Sequence, residues 1–168
     1  MSIEEHKGSV EHTGSSDKEK NAKFESIVKE VINVLQDGQK GFAEIGEHLK
    51  DDTLKRYFLS ESLKRANFRA ELENELHRHG IKDVHETGTT AGAIHRTWGE
   101  LKGKVFDVSD HELLATAEQG EDVAKKTYKE AVEAELPLPL KQLLSEQNSH
   151  IVESHDFVRN HRDATASK

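Results

Sequence analysis

Apolar residues recur at three- and four-residue intervals along four long stretches of this chain, the spacing of amphipathic helices with one inward face. The first stretch runs from about Phe24 to Lys50 and aligns Ile27, Val31, Val34, Leu35, Phe42, Ile45 and Leu49. The second starts near Asp52, read as an N-cap, and stops at Gly80, with Leu54, Phe58, Phe68, Leu72 and Leu76 on its stripe. Ser109-Asp-His-Glu112 has the form of a capping box and opens the third, which ends before Pro137. Its stripe is Leu114, Ala117, Ala124, Tyr128 and Val132. The fourth begins at Pro139, suited to a first helical turn, and turns Leu140, Leu143, Leu144, Ile151 and Val158 inward. No β alternation and no internal repeat interrupts the pattern.

The connections then set the expected topology. Short links join the first helix to the second and the third to the fourth, so each pair is expected to form an antiparallel hairpin. The long segment 81–108 between the hairpins can cross the bundle. Within it Ala91, Ile94, Trp98 and Leu101 follow helical spacing, which predicts a short amphipathic helix packing its tryptophan over the bundle. The expected fold is all-α: a ferritin-like four-helix bundle, two antiparallel hairpins joined by a long crossover that carries a short helix. Residues 1–20 and 163–168 are poor in core formers and are expected to be disordered tails around a bundle spanning 21–162.

Composition narrows the function classes. The 168 residues fit one domain. With 32 acidic residues against 24 Lys and Arg, the net charge is −8. That balance disfavours nucleic acid and anionic membranes as partners. No run approaches the roughly 18 apolar residues of a membrane span, and residues 1–20 lack the apolar region of a signal peptide. There is no cysteine, hence no disulfide framework and no thiolate chemistry. A bacterial-type cytoplasmic protein is the default expectation, although a cysteine-free chain also fits the periplasm.

Glu121 falls at the centre of the apolar stripe of the third helix, and a buried carboxylate needs a partner. The residues nearest the midpoints of the four inward faces are Gly38, Arg65, Glu121 and Gln147. A di-iron centre in such a bundle takes Glu from two helices and Glu-x-x-His from the other two. Here Glu44 and Glu47 project away from the core, the second helix offers Glu71-x-x-Asn74, and the fourth offers Gln147-Asn-Ser-His150. Arg65 would add a permanent positive charge, because arginine does not deprotonate in proteins. The expected arrangement is a buried Arg65–Glu121 pair hydrogen-bonded by Gln147, with Gly38 leaving room for the guanidinium and Glu61 sharing the charge. No cofactor is expected. If a metal did bind, its ligands would come from Glu61, Glu118, Glu121, His150 and His155.

Asp37-Gly-Gln-Lys-Gly-Phe42, Ala91-Gly-Ala-Ile-His-Arg-Thr-Trp98, Glu118-Gln-Gly-Glu-Asp122 with Tyr128, and His155-Asp156 together resemble a bacterial family of ferritin-like four-helix bundles. That family is known only as a domain of unknown function (domain of unknown function 2383), and the likeness covers about Phe24 to Arg162. The resemblance implies the fold and a bacterial origin, and it transfers no catalytic residue. Ferritin-like folds often serve stress responses, which is an analogy of fold.

The remaining signals are weaker. Most of the eleven histidines are expected on the surface, with His150 and His155 flanking the core stripe. His95 beside Arg96 suits a helix cap, and no nucleophile elbow or phosphate loop is present. Leu59, Leu63, Ala66 and Ala70 form a second apolar line on the second helix, expected to meet the crossover, a second copy in a homodimer, or another partner. The leading expectation is a non-catalytic bundle that binds or supports something. The alternative is a di-iron or manganese oxidoreductase or iron-binding protein.

Overall fold

The computed structural model describes residues 2–81, 98 and 108–166, with side chains for 22–81, 98 and 108–165. Four helices carry these residues: α1 (Ser2–His48), α2 (Asp52–Arg78), α3 (Asp110–Glu133) and α4 (Leu138–Ala166). No strand occurs among the described residues.

Local chemistry explains the boundaries. Asp51, not Asp52, is the N-cap of α2: its backbone is extended, and its carboxylate accepts from the Leu54 N–H at 2.9 Å. Asp52 then occupies the first turn, where negative charge suits the helix dipole. Ser109 caps α3 by accepting from the Glu112 N–H at 3.2 Å. Past the end of α2, Gly80 adopts φ +80, a left-handed conformation that glycine takes without penalty. The Gly80 N–H reaches the His77 carbonyl and the Ile81 N–H the Leu76 carbonyl, each at 3.0 Å, closing the helix end.

Among the described residues α1 is helical from Ser2 and α4 through Ala166, so both helices reach into the segments expected to be tails. Neither segment contains proline, so no residue there removes a donor from the helical ladder. The core nevertheless starts where the pattern places it, because Phe24 is the first buried side chain among those described.

α1 packs closely on α2, α3 on α4, and α1 on α3, while α2 and α4 make the thinnest contact. The Asp110 carboxylate, at the start of α3, accepts from the backbone N–H of Lys50 at 2.9 Å and of Asp51 at 3.1 Å. That clamp puts the starts of α2 and α3 at one end of the bundle, so these two helices run in the same direction. The expected crossover helix falls outside the described residues except at Trp98, which is helical and buried.

Trp98 does not lie over the bundle as expected; it inserts between α1 and α3. A Cβ added at Gly41 would lie 2.1 Å from its Cε3, and one added at Gly120 would lie 2.2 Å from its Cε2. Both glycines are therefore required by the indole that occupies their place. Phe42 continues the aromatic contact, 5.6 Å from Trp98 and 5.0 Å from Phe58 between ring centroids. On α2, Leu63 is 70% and Leu59 38% exposed, so the second apolar line faces outward among the described residues.

Candidate functional site

The inward faces meet at a charged centre. Arg65 of α2 is fully buried, and its two Nη atoms straddle the Glu121 carboxylate of α3, with Nη1 2.8 Å from Oε1 and Nη2 3.0 Å from Oε2. Nη2 also donates to Ser154 Oγ of α4 at 3.1 Å. One turn earlier on α2, Glu61 places Oε1 3.8 Å from the Arg65 Nε, close enough for charge attraction but not for a hydrogen bond. The Phe42 ring lies 4.8 Å from the guanidinium carbon, so the cation also faces an aromatic π-surface. Gly38 faces the same group, but a Cβ there would stand 3.4 Å from Nη1, an ordinary van der Waals contact, so the guanidinium does not require glycine at this position.

Burial alone would drive Arg65 toward its neutral form. The charge and hydrogen bond of Glu121, with help from Glu61, more than reverse that and hold its pKa above the ordinary arginine value. Tyr57 is tied to the same centre through Ser154. Burial, opposed by that hydrogen bond and reinforced by the charges of Glu61 and Glu121, pushes its phenol up to about 12. Burial likewise raises Tyr128 above its ordinary value.

Gln147 is not where the midpoint comparison puts it. Its Oε1 accepts from the Tyr128 hydroxyl at 2.8 Å, and its Nε2 donates to the Phe68 carbonyl at 3.2 Å and to Glu71 Oε1 at 3.3 Å. It therefore completes a second buried polar layer and leaves Arg65 and Glu121 to Ser154. The reason is axial register. α3 and α4 are antiparallel, so the step from Glu121 forward to Tyr128 matches the step from Ser154 back to Gln147.

The charged centre reaches the surface on one side. His150 of α4 contacts both oxygens of Glu61, the second at 2.8 Å. Two carboxylates around one guanidinium leave one excess negative charge, and that excess faces this imidazole. Outside it lies a cavity of about 300 Å³ between α2 and α4, lined by Tyr57, Glu61, Leu63, Lys64, Asn67 and His150 among others.

The five residues named as alternative metal ligands do not converge. Glu61 and His150 meet on the α2–α4 side, and Glu121 is committed to Arg65. Glu118 and His155 belong to a separate cluster on the α3–α4 edge, and there they are joined by Asp122, which the pattern does not single out. His155, expected to flank the core stripe, is buried. Its Nε2 lies 2.8 Å from Asp122 Oδ1 and its Nδ1 3.1 Å from Asp156 Oδ1. The hydrogen bond to His155 is the main reason that Asp156 is held below the ordinary carboxylate range. The Asp122–His155 approach was legible only as two adjacent-helix positions of unknown register.

The fit to a di-metal centre in the bundle core fails on chemistry. Glu61 and Glu121 are the carboxylates at that level, and the Arg65 guanidinium already stands between them. A pair of divalent ions there would have to share the space with a permanent cation.

A family model described as Domain of unknown function (DUF2383) matches residues 23–134, and the chain belongs to that family. The matched segment holds the packed part of α1, all of α2 and α3, and with them Gly38, Glu61, Arg65 and Glu121; α4 lies beyond it. No curated protein matches the sequence.

Proposed function

We propose that this DUF2383 protein is a ferritin-like bundle whose ion-paired centre stands where related folds hold metal, and that it acts as a non-catalytic binding or structural protein. The observation that carries the reading is the complete burial of Arg65 against Glu121. A buried guanidinium paired through both Nη atoms keeps one position, whereas a redox centre needs carboxylates free to change ligation. The shared direction of α2 and α3 supports the ferritin-like topology, because the chain between them must return along the bundle. The bacterial, cytoplasmic and stress-associated parts of the proposal rest on the family resemblance, the acidic balance and the absence of cysteine. No helix of the described residues is long and apolar enough to cross a membrane.

Metal analysis of the purified protein, with and without Glu121→Gln, tests the reading. The expected result is no iron or manganese that depends on Glu121, together with a loss of folding stability in the variant. Stoichiometric iron or manganese that disappears with Glu121→Gln overturns it and restores the metal-dependent oxidoreductase as the better account.

A further inference from the structure

We infer that Glu118, Asp122 and His155 form a binding site for one divalent transition-metal ion on the outer edge of α3 and α4, with Asp156 orienting the histidine. One ligand atom from each of the three lies within 4.8 Å of the others. Glu118 and Asp122 are one turn apart on α3, so they point to the same side, and His155 faces them from α4. One imidazole and two carboxylates are ligand types that zinc accepts, with water completing a tetrahedron.

The cluster is more than a patch of acids because of the way His155 is held. Its side chain is 5% exposed, and both ring nitrogens point at carboxylate oxygens. A neutral imidazole has one N–H and one lone pair. If Nδ1–H donates to Asp156, the Nε2 lone pair is aimed at Asp122 Oδ1 with nothing positive between them. A cation at that point resolves the conflict. A carboxylate on the far nitrogen is also the arrangement by which metal-ligating histidines are oriented.

The geometry is open but closable. Ligands each about 2.1 Å from a tetrahedral ion stand roughly 3.4 Å apart, so Asp122 must back off from its 2.8 Å approach to His155 while the cluster, spread over up to 4.8 Å, closes around the ion. Asp122 is 60% exposed and free to do so. Arg162 also contacts Glu118, and among the described residues it is the cation that competes directly with a metal there. Unlike Arg65 it is partly exposed, and it already holds Asp163 through Nε at 3.1 Å and Nη2 at 2.8 Å. It can release Glu118 without becoming an unpaired buried charge. The site is separate from the Arg65–Glu121 centre and does not depend on the non-catalytic reading.

Titration calorimetry of the full chain with Zn²⁺ at neutral pH tests the site, and circular dichroism checks that each variant remains helical. Eleven histidines supply background binding, so the assignment rests on one tight equivalent. Asp122→Asn and His155→Gln are each expected to remove that equivalent. Asp156→Asn is expected to weaken it by about 10- to 100-fold, the usual effect of losing an orienting carboxylate, and Arg162→Gln to tighten it. Glu61→Gln and Glu121→Gln are expected to leave it unchanged. Absence of a tight equivalent in the wild type overturns the inference, as does an equivalent that survives Asp122→Asn in a helical protein.

Discussion

Arg65 meets Glu121 through both Nη atoms in the fully buried centre of the bundle, at 2.8 and 3.0 Å, and no other helix offers Glu121 a cation among the described residues. An exposed pair of this kind contributes little, but a buried one makes each partner indispensable to the other. Arg65→Met leaves Glu121 and Glu61 buried without their counter-ion and is expected to cost about 3–5 kcal/mol of folding stability. Adding Glu121→Gln in that background removes the stranded charge, so the double variant should be more stable than the sum of the single losses. Urea unfolding of the four proteins measures this, and strict additivity would show that the pair is not coupled.

Trp98 fills the space that side chains at Gly41 and Gly120 would otherwise occupy. Gly120→Val is expected to expel the indole from between α1 and α3. Tryptophan emission should shift to the red, and stability should fall by about 1–3 kcal/mol, as overpacked cores typically do. Trp98 is the sole tryptophan, so the emission reports this contact alone. Unchanged emission in a folded Gly120→Val protein would contradict the placement of Trp98.

Both tyrosines of the chain should titrate late. Tyr57 is raised from 10.0 to about 12, and Tyr128 is raised further by its deeper burial. The folded state therefore favours the neutral phenol. Its stabilising effect is complete below pH 10 and is lost as the pH climbs from there through about 12. An ultraviolet titration of tyrosinate in the folded protein checks this. Ionisation of either residue near pH 10 while the helices persist would count against the burial that raises them.

Leu63 is expected to be nearly silent in folding and informative in assembly. At 70% exposure, Leu63→Glu should change stability by no more than about 0.5 kcal/mol. If Leu59, Leu63, Ala66 and Ala70 form a homodimer face, the same substitution should lower the mass seen by light scattering to that of a monomer. An assembly unaffected by Leu63→Glu places the contact elsewhere.

Much of the architecture was readable from periodicity. Leu54, Phe58, Phe68, Leu72 and Leu76 are all buried on α2, and so are Leu114, Ala117, Ala124 and Tyr128 on α3. A repeat of about 3.6 residues specifies which way a side chain faces around its own helix axis. It therefore put Arg65 and Glu121 inward, and it put Glu118 at a rim. It does not specify how far one helix slides along another. That is why Gln147 was assigned to the Arg65 level and Ser154 passed unnoticed. The burial of His155, a candidate ligand from the sequence, was not legible for a related reason, because burial at the α3–α4 edge depends on how closely the two helices approach.

The sequence by itself determined four amphipathic helices, the Ser109 cap and the Gly80 stop, the acidic cysteine-free character of the chain, and the need for a partner to the inward Glu121. Only the tertiary structure decided which residues stand level with one another. Local hydrogen bonds and apolar spacing act within one helix, whereas axial register is set by contacts between helices. Here those contacts are the Asp110 clamp on Lys50 and Asp51 and the Trp98 ring seated between Gly41 and Gly120. The register of α4 against α2 and α3 in turn brings Ser154 to Arg65, Gln147 to Tyr128, and His155 to Asp122.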